Sequence, residues 1–588
     1  MVGCPKVKVW IAVLGVCVSL LGGARAYAGA RTSSEEVQVS TGEVGRTGGR
    51  IVVALRAEPK TLNPVTAVDQ PSREVIGRMI ADLVHINRAT QLTGSALAKS
   101  WKVSPDGRRY TLQLRRGLRF SDGQPFDADD VVFSFQVYLD EKINSPQRDL
   151  LMVGGKPIVV RKLSPYTVEF EMVQPYAAAE RLFDSVAILP RHVLEADYHA
   201  GKLAQDWGLN SPVASVVGLG PFRLKEYVPG QRLVLERNPY YWKVDRKNAR
   251  LPYLDEIVFL FVSSEDAQAL RFKAGDTDII SRLSPDNFAA LERDQAASGF
   301  RLDDLGPGLE FNFLFFNLNS VLPKNSGDLA KKQKWFQEVA FRQAVSAAID
   351  REGINKLVYH GRGSVLATQV TPAYRSWIDT SLPLPVRSLE RSRELLKRAG
   401  FTWASDGHLV DASGTPVEFS IATSASNAQR AQMATIIQDD LKDLGIKVTV
   451  VPLDFRSLLD RVFQSHDYEA VVLALGGGDV DPNPQMNVWL SNGSSHLWDL
   501  GEAKPATPWE AEIDRLMNQQ LSTLDPKLRK KLYDRVQQIV AEQLPLICLV
   551  SPHILVGAKT SIGNFQPAIL DHYTLWNADE LYLRAPGR

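Results

Sequence analysis

The chain has 588 residues, 44% of them hydrophobic and 23% charged, a globular composition too long for one core, so two or more domains are expected. Lys plus Arg number 68 and Asp plus Glu 67, for a net charge of +1. That balance lacks the basic excess of a nucleic-acid binder and the polybasic patch of a membrane-surface protein.

Lys6 and Lys8 precede an apolar run, 9–23, that is short for a spanning helix. Ala26-Tyr27-Ala28 follows as a small-x-small cleavage pattern. Residues 1–28 therefore read as a signal peptide, with a retained anchor as the alternative. Residues 29–49 are polar and rich in Gly, Ser and Thr, and read as a disordered leader. Cys4 and Cys17 fall in the signal segment. Cys548 remains, inside the apolar "LPLICLV", so no intramolecular disulfide is expected and the thiol reads as a small buried hydrophobe.

The stretch 103–136 carries dense structural signals. Ser104-Pro105-Asp106-Gly107 fits a type I turn. Tyr110, Leu112 and Leu114 alternate as in a half-buried strand, and Leu118 and Phe120 continue the pattern. Asp122-Gly123 marks a second turn. Asp127 sits as an N-cap, with Asp129 and Asp130 in the first helical turn and Val131, Phe135 and Tyr138 on the apolar face. Further on, 222–242 reads as two strands around Pro229-Gly230, and 254–262 as another strand. A helix stopped by Gly275 and a short strand follow. Residues 334–354 read as one helix with Phe341, Val345, Ala348 and Ile349 on one face. Val417, Phe419 and Ile421 form a strand; Met433, Ile437, Leu441 and Leu444 stripe a helix; Ile446, Val448 and Val450 form the next strand. That β-α-β unit calls for a parallel pair. Asp525 caps a last helix opened by Pro526.

Chemical motifs are sparse. The chain has no HExxH, GxSxG, Walker A or GxGxxG sequence, and its nine histidines are far apart. No metal site, no cofactor and no catalytic residue is assigned. Within "GGGDVDPNP" (476–484), Asp479, Asp481 and Asn483 imitate a calcium loop, but Pro484 and Leu490 stand where that loop needs Gly and Glu, which discards calcium. The loop follows a buried strand, "YEAVVLAL", so it lies where ligands bind in open α/β sheets. Gly476, Gly477 and Gly478 would let a ligand approach the backbone, and an acidic neighbour would pair with a cationic group. A plain glycine-rich turn is the alternative.

"LAKSWKVSPDGRRYTLQLRRGLRFSDGQPFDADDVVFSF" resembles the signature region of bacterial extracellular solute-binding proteins of family 5, the periplasmic dipeptide, oligopeptide and nickel receptors of ABC importers. "EPKTLNP", "VGLGPFRLKEYVPGQRLVLERNPYYW", "YLDEIVFLFV", "FRQAVSAAIDREGI", "RSRELLKRAGF" and "IIQDDLKDLGIKV" are similar to further family blocks in family order. The resemblance implies an α/β, periplasmic-binding-protein-like fold: two α/β lobes joined by a hinge, with an extra α+β domain inserted in the first. Lobe I would comprise 50–84, 207–304 and 505–588; the extra domain, 85–206; lobe II, 305–504.

The implied function is capture of a peptide or similar small solute between the lobes, without catalysis, for delivery to an ABC permease at the inner membrane by a monomeric periplasmic protein. Asp479 becomes the candidate partner of a ligand amino terminus, with Gly476, Gly477, Gly478, Asp481 and Glu58 as further ligand-binding candidates. Two departures are visible: glycines stand where the family loop usually carries an aromatic residue, and Asp479 lies about one residue nearer Pro482. Arg456 and Arg461, nearest to the loop in sequence, would suit acidic ligands. An oligosaccharide or metal chelate is the alternative ligand; Trp489, Trp498 and Trp403 would then be the stacking candidates, although buried structural tryptophans are the favoured reading of all three. A sensor or chaperone using the same cleft stays open, and a secreted hydrolase would lack a recognisable nucleophile and base.

Overall fold

The computed structural model describes residues 35–295, 299–320, 322–323 and 326–585. The expected signal segment, its cleavage point and residues 29–34 lie outside them.

Three sheets define the architecture. The first runs in the order Phe222–Val228, Arg232–Arg237, Glu256–Phe261, Arg50–Leu55, Ile279–Ile280, Val550–Lys559, Phe300–Pro307, with Gly363–Val365 also paired to Val550–Lys559. The second runs Lys447–Leu453, Glu418–Ser424, Ala470–Leu475, Phe311–Phe316, Ile547–Cys548. The third, Ala98–Val103, Arg109–Leu114, Thr167–Glu171, Val159–Ser164, belongs to the inserted region. These are the two lobes and the extra domain.

Local expectations are largely met. The Gly107 amide donates to the Ser104 carbonyl at 2.8 Å, closing the turn before the strand Arg109–Leu114. Asp127 caps the helix Ala128–Leu139 in a reciprocal box with Asp130, satisfying orphan amides of the first turn. Glu418–Ser424 and Lys447–Leu453 pair in parallel across the helix Ala428–Lys442. Cys548 is buried, and burial pushes its thiol up to about 12, against the lowering charge of Arg351. It is an inert core group.

Four expectations need correction. Leu118 and Phe120 are fully buried, yet only an isolated bridge, Arg119 to Pro125, forms there; alternation records burial, not a pairing partner. The single helix expected over 334–354 is three: Gly327–Gln337, Val339–Ala348 and Arg351–Tyr359. Glu338, extended, and Asp350, outside the helical region, each leave the helix and cap the next one. From Glu35 onward the expected leader is fixed rather than disordered. Gln38–Val39 pairs with Lys243–Val244, Lys99 donates to Glu36 at 2.8 Å, and Arg250 pairs with Glu35 at 2.7 Å. Its polar composition gives it no core of its own, and distant segments supply the order.

Last, the C-terminal piece does not belong wholly to lobe I. Ile547–Cys548 pairs with Phe311–Phe316 in the lobe II sheet, and Arg342 of lobe II donates to the Gln543 carbonyl at 2.8 and 3.0 Å. Residues 508–548 therefore pack with lobe II, and lobe I resumes at Val550.

Candidate functional site

Two short crossings join the two large sheets directly and lie side by side, from Pro307 to Phe311 and from Cys548 to Val550, while a longer excursion brings Gly363–Val365 onto Val550–Lys559. The crossings are tied together. Gly308 donates to the Pro552 carbonyl at 3.0 Å and Leu549 to the Asn312 carbonyl at 2.8 Å. The Ser551 hydroxyl donates to the Glu310 carbonyl at 2.7 Å. Two short parallel crossings are the build of a hinge, because few dihedrals need change for the halves to rotate.

Beside the hinge lies a cleft of about 500 Å³. Lobe I contributes Arg56 at the end of the strand Arg50–Leu55, Arg73 from the helix Gln70–Ile76, and Arg282 with Tyr573. Lobe II contributes Asn312, Arg430 from the first turn of the helix Ala428–Lys442, and Gly476, Gly477 and Gly478 after the strand Ala470–Leu475. The glycines thus lie where expected, at a strand's C-terminal end facing the cleft. A Cβ on Gly477 would collide with the Tyr374 hydroxyl, whereas Gly476 and Gly478 face open space.

The cleft is cationic. Arg56, Arg73, Arg282, Arg362 and Arg430 line it against the carboxylates Glu265, Glu310 and Asp571. Arg56 pairs with Glu265 at 2.6 Å; burial lowers its pKa, Glu265 raises it and Arg282 lowers it again. Arg430 pairs with Glu310 at 3.2 Å and donates to the Asn312 side chain at 3.3 Å. Arg362 is held by Glu292 at 2.8 Å and Asp304 at 3.2 Å. Arg282 stacks over the Tyr573 ring at 5.4 Å. Burial pushes the Tyr573 hydroxyl up to about 12, with Arg282 opposing. Arg73, Arg282 and Asp571 make no ion pair among the described residues.

The acidic candidates lie elsewhere. Asp479 forms a two-pronged ion pair with Arg181 of the extra domain, which also donates to the Gln91 carbonyl at 3.0 Å. Asp481 receives both prongs of Arg529 at 2.7 Å, both side chains being buried. Asn483 accepts from Arg529 at 2.9 Å, so guanidinium groups occupy all three side chains that imitate a calcium loop. Asp479 and Asp481 border a separate cavity with Tyr176 and Arg181. Glu58 accepts from the Gly230 amide at 2.9 Å and from the Tyr227 hydroxyl. It closes the hairpin turn at Pro229-Gly230 and raises the Tyr227 hydroxyl to about 12, after burial as the larger cause.

The aromatic and basic candidates are displaced too. Trp489 and Trp498 are fully buried against each other, centroids 5.7 Å apart. The Trp403 indole donates to the Leu444 carbonyl at 2.8 Å. None of the three lines the cleft, nor do Arg456 or Arg461. The arginines that do come from five distant segments, which spacing in sequence does not reveal.

The family model described as bacterial extracellular solute-binding proteins, family 5, matches residues 94–496. The chain belongs to that family. A probable ABC transporter-binding protein of Deinococcus radiodurans is 29% identical over 531 residues, covering 86% of this chain and 87% of its own. Among solved structures, oligopeptide-binding AppA of Bacillus subtilis in complex with a nonapeptide is similar with a TM-score of 0.69 at 23% identity, covering 92% of this chain and 100% of AppA. MelB of Agrobacterium fabrum in complex with stachyose has a TM-score of 0.71 at 22% identity, covering 92% and 86%. One fold therefore serves a peptide and a neutral saccharide, and ligand class must be read from this chain's own cleft.

Proposed function

We propose that this protein is the substrate-capture subunit of an ABC importer, working outside the cytoplasmic membrane, and that its solute is amino-acid-derived, with a carboxylate held by Arg73 and Arg282 and an ammonium directed to Asp571. The observation that carries this reading is the inventory of cleft charges. Glu265 and Glu310 are already paired with Arg56 and Arg430. What stays available is two guanidinium groups and one carboxylate, enough to hold a ligand carboxylate between two cations and an ammonium beside an anion. Guanidinium groups bind carboxylates in a two-pronged geometry. Each charge-assisted hydrogen bond to the ligand contributes about 1.5–3 kcal/mol once closure excludes water.

The mechanism is a population shift. In the open cleft the arginines are solvated and weak. A ligand that bridges Arg73 and Arg282 of lobe I to the amides around Gly476 and Gly478 of lobe II is contacted fully only when the lobes close. It therefore stabilises the closed form by its differential affinity. The closed form is what a membrane permease would dock. No bond is made or broken.

Short peptides in three forms test the reading by calorimetry: unmodified, carboxy-amidated and amino-acetylated. Amidation is expected to weaken binding about tenfold or more, and Arg73→Gln with Arg282→Gln to abolish that discrimination. Acetylation is expected to matter less, through Asp571. Equal affinity for free and amidated peptides would remove the carboxylate assignment. Binding of neutral saccharides in preference to every peptide would remove the ligand class.

A further inference from the structure

Away from the cleft, residues 496–510 bury three side chains whose electron-pair donors face one another. His496 is 0% exposed, and the side chains of Glu502 and Glu510 are each 4% exposed. His496 Nδ1 lies 3.1 Å from the Val488 carbonyl oxygen. A carbonyl can only accept, so Nδ1 carries the hydrogen and donates, and Nε2 is the ring nitrogen directed inward. It meets Glu510 Oε1 at 3.6 Å and Glu502 Oε2 at 3.9 Å. Among the described residues, no group meets Nε2 or either Glu502 oxygen at close hydrogen-bond geometry, although Asp499 and the Ala506 amide approach Glu502.

The surroundings hold this arrangement in place. Glu510 accepts from the Trp498 indole at 3.0 Å and from the Thr507 amide and hydroxyl at 2.9 and 2.7 Å. Asp499 sits beside Glu502, and its own oxygens accept from Ser320 at 2.8 and 2.7 Å. A ring nitrogen against two buried carboxylates, with a third nearby, is a costly concentration of electron-pair donors unless protons or a metal cation lie among them.

We propose that His496, Glu502 and Glu510 bind one divalent transition-metal ion of the zinc type. The donor set of one imidazole nitrogen and two carboxylate oxygens suits zinc, whereas calcium and magnesium favour oxygen alone. Bonds of about 2.0–2.1 Å place tetrahedral donors roughly 3.3 Å apart, so the 3.6 and 3.9 Å edges at Nε2 need to contract by about 0.3 and 0.6 Å, and all three donors already lie within 4.8 Å of one another. A histidine oriented through Nδ1–H to a backbone carbonyl is the arrangement that supports metal ligation at Nε2. Another convergence of this type among the described residues, Asp82, His85 and Asp184, has its cation already: Arg88 meets Asp184 at 2.9 Å. The ion would clamp the segment after the glycine loop onto the start of the helix Pro508–Ser522, a structural role independent of the ligand in the cleft.

The test uses the full chain, unfolded in denaturant with a chelator and refolded with or without one equivalent of Zn²⁺ or Co²⁺. Elemental analysis after desalting is expected to find one equivalent of metal, with a visible absorption band for Co²⁺ and a higher thermal midpoint for Zn²⁺. His496→Gln and Glu502→Gln are each expected to weaken Zn²⁺ binding about tenfold or more and to remove the Co²⁺ band, while Asp82→Asn leaves both intact. Absence of retained metal at stoichiometric Zn²⁺ would overturn the proposal. So would a band unchanged in Glu502→Gln, or a midpoint that rises in Glu502→Gln and ignores Zn²⁺, the mark of a cluster held by protons. Should His496→Gln not refold, the wild-type metal content and Glu502→Gln still decide.

Discussion

The two ends of one loop behave in opposite ways. Gly476, Gly477 and Gly478 border the cleft, where Arg73 and Arg282 make no ion pair among the described residues. A few residues later, Asp479 and Asp481 face the joint between lobe II, the extra domain and the helix Pro526–Gln543, where each carboxylate is held by its own arginine. The same contrast exists within one helical turn. Arg73 is turned to the cleft, while Glu74 is buried against Arg78 at 3.2 Å and His572 at 2.9 Å. Paired charges hold domains together; unpaired charges await a ligand. The acidic residues that look most like a binding motif fall in the first class.

That contrast can be broken most severely at Arg529. Replacing it by Ala leaves Asp481 buried without its partner, and the expected cost is about 3–5 kcal/mol of stability, measured by denaturant unfolding. Ligand affinity of the remaining folded protein should be unchanged. A large affinity loss with little loss of stability would reverse the roles assigned to joint and cleft.

Glu74 gives the next largest effect, through pH. Burial would raise its pKa, but His572 and then Arg78 outweigh burial and hold it at about 2. Because the folded value lies below the unfolded one, the stabilisation is fully present above about pH 5. It is lost as pH falls through the unfolded value of about 4.3 towards 2, amounting to roughly 3 kcal/mol. Unfolding curves between pH 2 and 6 should be flatter for Glu74→Gln than for wild type over that window. Identical slopes would contradict the pairing.

Smaller again is the effect of Arg73→Gln with Arg282→Gln. Affinity for a carboxylate ligand should drop about 10- to 100-fold, or about 1.4–2.8 kcal/mol, with stability altered by less than about 0.5 kcal/mol. The smallest effect is expected at Asp479→Ala. Arg181 keeps the Gln91 carbonyl, so stability should fall by about 1–2 kcal/mol. The preference between free and acetylated amino termini should stay as it was, and loss of that preference would return Asp479 to the ligand.

Much of the local structure was legible because its causes are local. The caps at Asp127 and Asp525, the Pro229-Gly230 turn and the β-α-β unit around 418–453 each depend on residues a few positions apart. The family, too, was readable from ordered blocks. What escaped depends on long separations. Asp479 meets an arginine 298 residues away, and the cleft arginines converge from five segments. Ile547–Cys548 is a two-residue strand whose sheet is chosen by the Phe311–Phe316 edge rather than by its own pattern. Order in 35–49 comes from partners on Lys99, Lys243 and Arg250, which composition cannot register. His496, Glu502 and Glu510 lie within fifteen residues, yet no standard ligand spacing joins them.

The most direct measurement is native mass spectrometry of the protein purified from its own cells, in wild type, Arg73→Gln with Arg282→Gln, and Asp479→Asn. One small carboxylate-bearing adduct should accompany the wild type and Asp479→Asn and be missing from the double arginine variant. A neutral adduct, or one that survives loss of both arginines and disappears with Asp479, would contradict the account.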